Sequence, residues 1–113
     1  MQSILIVDDE ISIRESLTGI LQDEGFQPVS VESGERAIER VSEEKPDLVL
    51  LDIWMPGMDG METLTKIRDI YQDQLVIIMS GHGTIETAVK ATKLGAYDFI
   101  EKPLSLEKVL LSI

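Results

Sequence analysis

Carboxylates stand at the ends of two apolar runs. Asp8 and Asp9 close the β-branched-rich run Ser3–Val7, and Asp52 closes the run 48–51, after which Pro56 and Gly57 break the chain. A third run, 75–79, stops at Ser80-Gly81, and a fourth, 97–100, at Glu101-Lys102-Pro103. Acids gathered in one place repel each other and recruit a proton or a cation. Oxygen donors with no cysteine in the chain and no histidine nearby in sequence suit a hard ion, Mg²⁺ above all, because it binds one or two carboxylates and keeps room for water and phosphate. A carboxylate beside such an ion can attack phosphorus and become an acyl phosphate. That reaction depends chiefly on positioning and on neutralising the equatorial oxygens. Lys102 and the Ser80 hydroxyl are the further groups that could supply this neutralisation.

Such chemistry requires the run ends to meet. After Ser3–Val7, Ile13, Leu17, Ile20 and Leu21 recur at helical spacing, and Gly25 stands where a left-handed residue ends a helix. Gln27–Val31 reads as a weaker strand, and Pro28 within it cannot donate to a ladder, which places it at an edge. Ser33 can cap a helix carrying Ala37, Ile38 and Val41, closed by Lys45-Pro46. Gly57 and Gly60 bracket a loop, and Leu64, Ile67 and Tyr71 then mark a third helix. Thr84 is expected to cap a fourth helix with Ile85, Ala88, Val89 and Thr92 inward and Gly95 at its end. Ser105 opens a fifth, with Leu106, Val109, Leu110 and Ile113 on one stripe.

Strand and helix thus alternate five times with short links. The expected fold is an α/β doubly wound five-stranded parallel sheet with five helices. An edge position for the second strand agrees with the order 2-1-3-4-5, whose switch point lies between strands one and three. Ligands bind in that crevice, beyond the carboxyl ends of the strands, and these are the two strands that end in Asp8-Asp9 and Asp52.

Bulk properties narrow the partners. With 113 residues, 43% hydrophobic and 27% charged, the chain fits one domain with one core. A net charge of −11 repels nucleic acid and acidic membranes, so no direct nucleic-acid contact is expected and any action on DNA must pass through another domain. No apolar run approaches the ~18 residues of a membrane span. The absence of cysteine excludes disulfides and thiol catalysis, and the expected location is cytoplasmic.

The ordered set Asp8-Asp9, Asp52 with Met55-Pro56-Gly57-Met58-Asp59-Gly60, Ser80-Gly81 and Lys102-Pro103 resembles the receiver domain of bacterial two-component response regulators, across essentially residues 1–113. The order 2-1-3-4-5 is itself a receiver order, so fold and resemblance are one observation rather than two. The resemblance implies that Asp52 is the phosphoacceptor. It also implies a Mg²⁺ site formed by Asp9 directly, Asp8 through water, Asp52 and the Trp54 backbone carbonyl. Ser80 would follow the phosphoryl group, Lys102 would pair with it, and the Lys102-Pro103 bond would be cis. Phe99, three residues before the lysine, would turn inward as the hydroxyl moves, without the hydroxyl of a tyrosine. Two contacts to a charged group, at about 1.5–3 kcal/mol each, approach the roughly 5.5 kcal/mol that swings a two-state equilibrium from 1:99 to 99:1.

Trp54 and His82 lie two residues beyond Asp52 and Ser80, where receivers flank the path of the hydrolytic water; a bulky Trp54 is expected to slow hydrolysis. Arg14, Glu15 and Thr18 on the outward face of the first helix are candidate residues for choosing the sensor histidine kinase. The segment Gly81-His82-Gly83-Thr84 with Ala88, Gly95-Ala96-Tyr97-Asp98-Phe99 and Lys102-Pro103 is similar to receivers of the nitrogen-regulation class. That likeness implies an N-terminal receiver in a longer protein, with an ATPase and a DNA-binding domain as output. A homodimer through the fourth helix, fifth strand and fifth helix is expected. A stand-alone receiver is the alternative. A phosphohydrolase of the haloacid dehalogenase type is weaker, because it needs a second Asp where Trp54 stands. A flavodoxin-like flavin carrier is also weaker, because it needs a Ser/Thr/Gly-rich phosphate loop where Asp8, Asp9 and Glu10 stand.

Overall fold

A computed structural model describes residues 2–81 and 85–101. The apolar runs become parallel strands: β1 (Ser3–Val7), β2 (Gln27–Val31), β3 (Leu48–Asp52), β4 (Val76–Ser80) and β5 (Asp98–Glu101). They form one sheet in the order β2-β1-β3-β4-β5, with Val7 opposite Val31 and Leu51, Asp52 opposite Met79, and Ser80 opposite Glu101. Pro28 sits on the edge strand, where its missing donor costs no ladder bond. Every residue of β3 and β4 is buried, which is why those segments read as unbroken apolar runs rather than alternating ones.

Alternation along the strands sorts the core into two layers. Ile4, Ile6, Leu48, Leu50, Ile77, Met79 and Ile100 pack with Leu17 and Leu21 of α1 (Ile11–Asp23). Leu5, Val7, Val49, Leu51, Val76 and Ile78 pack on the other face. Their partners there are Ala37 and Val41 of α2 (Gly34–Glu44), Leu64 and Ile67 of α3 (Gly60–Ile70), and Ala91 of α4 (Ile85–Lys93). Each fully buried Leu or Ile contributes about 1.5–3 kcal/mol. Truncating Leu50, which is buried at the sheet centre, to alanine would cost about 2–5 kcal/mol.

Local chemistry sets the helix ends. Ser33 caps α2 by accepting from the Arg36 N–H at 3.2 Å, and Lys45 ends it in the left-handed region at φ 46°, just before Pro46. Gly25, at φ 87°, ends α1 as its position suggested. Asp59 caps α3 through the Glu62 N–H at 2.9 Å.

Two expectations need correction. In α4 the inward residue is Ala91, fully buried, whereas Val89 is 47% exposed and Thr92 faces solvent. Apolar or β-branched residues occur on every side of α4, so side-chain size misled the choice of face; the small Ala91 lets the helix approach the sheet. Leu75 and Tyr97 lie outside the strands, each one residue before its strand begins, and both are exposed. Their backbones still bind the sheet region, since the Leu75 carbonyl accepts from Val49 N–H and the Tyr97 N–H donates to the Val76 carbonyl. Four helices are present among the described residues. The fifth, expected from Ser105, lies outside them, as do His82, Thr84, Lys102 and Pro103.

Candidate functional site

Because Val7 and Leu51 are partners across β1 and β3, the next residue of each strand enters the same crevice. Carboxylate oxygens of Asp8, Asp9 and Asp52 all lie within 4.8 Å of one another. Asp8 is fully buried, Asp52 is 4% exposed and Asp9 is exposed, so the cluster runs from the sheet end out to solvent. Three acids at this spacing, two of them buried, favour a cation, since buried charge is costly unless compensated. The all-oxygen donor set fits Mg²⁺ rather than a metal that prefers nitrogen or sulfur.

Asp8 is fixed along its whole length. Its N–H donates to the Val31 carbonyl at 3.2 Å, its Oδ1 accepts from the Glu10 N–H at 2.9 Å, and its carbonyl accepts from Arg14 Nη1 at 2.6 Å. Helical spacing places Arg14 with the outward residues of α1, yet the structure turns its side chain back onto the acidic turn. A basic residue on an amphipathic helix carries no sequence signal that distinguishes these two orientations. Beyond β3, the Ile53 N–H donates to the Met79 carbonyl at 3.2 Å and the Ile53 carbonyl accepts from the Gly60 N–H at 2.8 Å. The short loop between Asp52 and α3 is thereby tied at both ends. Trp54, in this loop, has its side chain 55% exposed.

Ser80 ends β4, fully buried, one residue beyond the partner of Asp52. Phe99 is opposite Ile78, half-buried, and packs on the layer that contains Ile78 and Ala91. Strand alternation puts Ser80 and Phe99 on that same sheet face, diagonal to each other, which is the arrangement a coupled movement needs. The positions of Lys102, Pro103 and His82 relative to the crevice lie outside the described residues.

Fold and crevice together define a doubly wound α/β domain with an acidic, cation-suited site at its switch point. The profile of the response regulator receiver domain matches residues 4–113, and the chain belongs to that family. It is 48% identical over 110 residues to a putative response regulator NtrX-like protein of Rickettsia bellii, covering 96% of this chain and 23% of that protein. It is 38% identical to sporulation initiation phosphotransferase F of Bacillus subtilis, covering 96% of this chain and 87% of that protein. Among solved structures, the receiver domain of NtrX from Brucella abortus superposes with a TM-score of 0.90 at 44% identity, covering 96% of this chain and 92% of that one. The chain therefore spans about a quarter of the length of its NtrX-like relatives. Among the described residues, no helix is long and apolar enough to cross a membrane.

Proposed function

We propose that this domain is a phosphorylation switch in which Asp52 accepts a phosphoryl group from the phosphohistidine of a sensor kinase. In that step a carboxylate oxygen of Asp52 forms a bond to phosphorus while the phosphorus–nitrogen bond breaks, and the departing imidazole nitrogen takes up a proton. The observation that carries this reading is the convergence of Asp8, Asp9 and Asp52 from two strands to within 4.8 Å. Mg²⁺, held by those carboxylates and the Trp54 carbonyl, would neutralise the pocket and the phosphoryl oxygens. Ser80 then donates its hydroxyl to the phosphoryl group and Lys102 pairs with it. Phe99 fills the space that Ser80 vacates. Trp54 and His82 flank the approach of hydrolytic water and set how long the signal lasts.

The partners follow from the surfaces. Arg14, Glu15 and Thr18 line a cleft of about 580 Å³ with Ser30 of β2 and Glu32 just beyond it, which supports a kinase-docking role for this face. Val89 and Tyr97, exposed on α4 and just before β5, support homodimer formation on that side. The domain acts in the cytoplasm at the N-terminal end of a longer regulator whose ATPase and DNA-binding domains give transcriptional output; the NtrX-like relatives support this reading. The stand-alone receiver is favoured by one observation, the 87% coverage of phosphotransferase F. The test is incubation with acetyl phosphate and Mg²⁺ followed by mass measurement. A receiver gains one phosphoryl group that hydroxylamine removes, whereas steady turnover without a lasting label indicates a phosphohydrolase.

A further inference from the structure

Glycine opens α3, although it is a poorer helix former than alanine. Gly60 is not in the left-handed region, so conformation does not demand it there. Space does. A Cβ at Gly60 would lie 2.2 Å from the Asp52 carbonyl oxygen and 2.6 Å from the Ile53 Cα. Both are backbone atoms, so no side-chain rotation relieves the overlap; either α3 or the end of β3 must move. The same residue donates its N–H to the Ile53 carbonyl at 2.8 Å, and Ile53 in turn donates to Met79 of β4.

From this geometry we infer that Gly60 is a positioning residue for the phosphoacceptor site. Its bare α-carbon lets the start of α3 press against the peptide of Asp52, and its N–H holds the residue after it. Together these set where the Asp52 carboxylate lies relative to Asp8 and Asp9 of the neighbouring strand. The inference rests on the proposed cation site, because cation affinity is the quantity that this spacing controls. Displacing groups that orient metal ligands typically weakens binding about 10–100-fold.

Gly34 provides the control. A Cβ there would also collide, 2.1 Å from Thr63 Oγ1 of α3 and 3.2 Å from Met58 Sδ in the loop before it, but those are side-chain atoms rather than the backbone of β3. Mg²⁺ is titrated into the wild-type chain, Gly60→Ala and Gly34→Ala, each below its melting temperature, with the fluorescence of Trp54, the sole tryptophan, as readout. Gly60→Ala should weaken Mg²⁺ binding by about tenfold or more, with Gly34→Ala within about twofold of wild type. Equal affinities in the Gly60→Ala and wild-type chains, or equal losses in both variants, would overturn the inference. A wild-type chain that ignores Mg²⁺ would remove the cation site itself, and this inference with it. If Gly60→Ala does not fold, hydrogen exchange of the Gly60 amide in the wild-type chain decides: it should slow as Mg²⁺ saturates, and an unchanged rate would overturn the inference.

Discussion

Arg14 of α1 donates Nη1 to the backbone carbonyl of Asp8 at 2.6 Å, so the helix that follows the acidic turn reaches back to hold it. A hydrogen bond from a charged group typically contributes about 1.5–3 kcal/mol. Arg14→Ala should therefore loosen the Asp8-Asp9 turn, lowering stability by about 1–2 kcal/mol and Mg²⁺ affinity by about threefold to tenfold. Arg14→Lys, which keeps a donor but not the fork, should fall between. Denaturant melts and Mg²⁺ titrations on the three chains check both numbers. An unchanged Mg²⁺ affinity in Arg14→Ala would return Arg14 to the kinase-facing surface alone.

Ser80 is buried one residue past the partner of Asp52 and shares a sheet face with Phe99. Ser80→Ala should leave phosphorylation of Asp52 possible but reduce the resulting conformational shift about tenfold to hundredfold, the equivalent of one charge-assisted contact. Backbone amide shifts around Phe99, recorded with and without acetyl phosphate, measure this. Wild-type shifts in Ser80→Ala would show that the hydroxyl does not carry the signal.

Trp54 is 55% exposed in the loop that follows Asp52, the proposed phosphoacceptor. Replacing it with asparagine removes apolar cover from the approach of water and should shorten the lifetime of the phosphoryl group several-fold, without loss of labelling. Decay of the labelled protein after removal of the donor gives the rate. A lifetime equal to that of the wild-type chain would end Trp54's assigned role in hydrolysis.

At the far end of α4, Gly95 adopts φ +105° and its carbonyl accepts from Arg68 Nε at 2.9 Å and from Nη2. A Cβ at this position would meet Arg68 Nε at 2.5 Å, adding a collision to the strain of a left-handed residue. Gly95→Ala should cost about 2 kcal/mol and lower Tm by roughly 5–15 °C. Arg68→Ala, combined with it, should recover part of the loss because the collision disappears. Strictly additive losses would show that strain alone is responsible.

Much of this architecture was legible before the structure because single residues carried strong constraints. Pro28 pointed to an edge strand, and the run before Asp52 was long enough for a strand buried on both faces. Asp8-Asp9 and Asp52 followed from the switch point once the order was set. Three things were not legible. The inward face of α4 was hidden because its buried residue is alanine, whose burial leaves little mark beside valine and threonine. Arg14's return to Asp8 depends on a rotamer, which sequence spacing does not determine. Gly60 read as a loop boundary, since the close approach that requires it joins α3 to β3 in space and has no periodic signature.

The most direct test is labelling by acetyl phosphate in Mg²⁺, comparing the wild-type chain with Asp52→Asn and, as a control, Asp59→Asn, whose carboxylate caps α3. The wild-type and Asp59→Asn chains should each gain one phosphoryl group, and Asp52→Asn none. An Asp52→Asn chain labelled at the wild-type rate would contradict the assignment of Asp52 as the acceptor and, with it, the switch built around that residue.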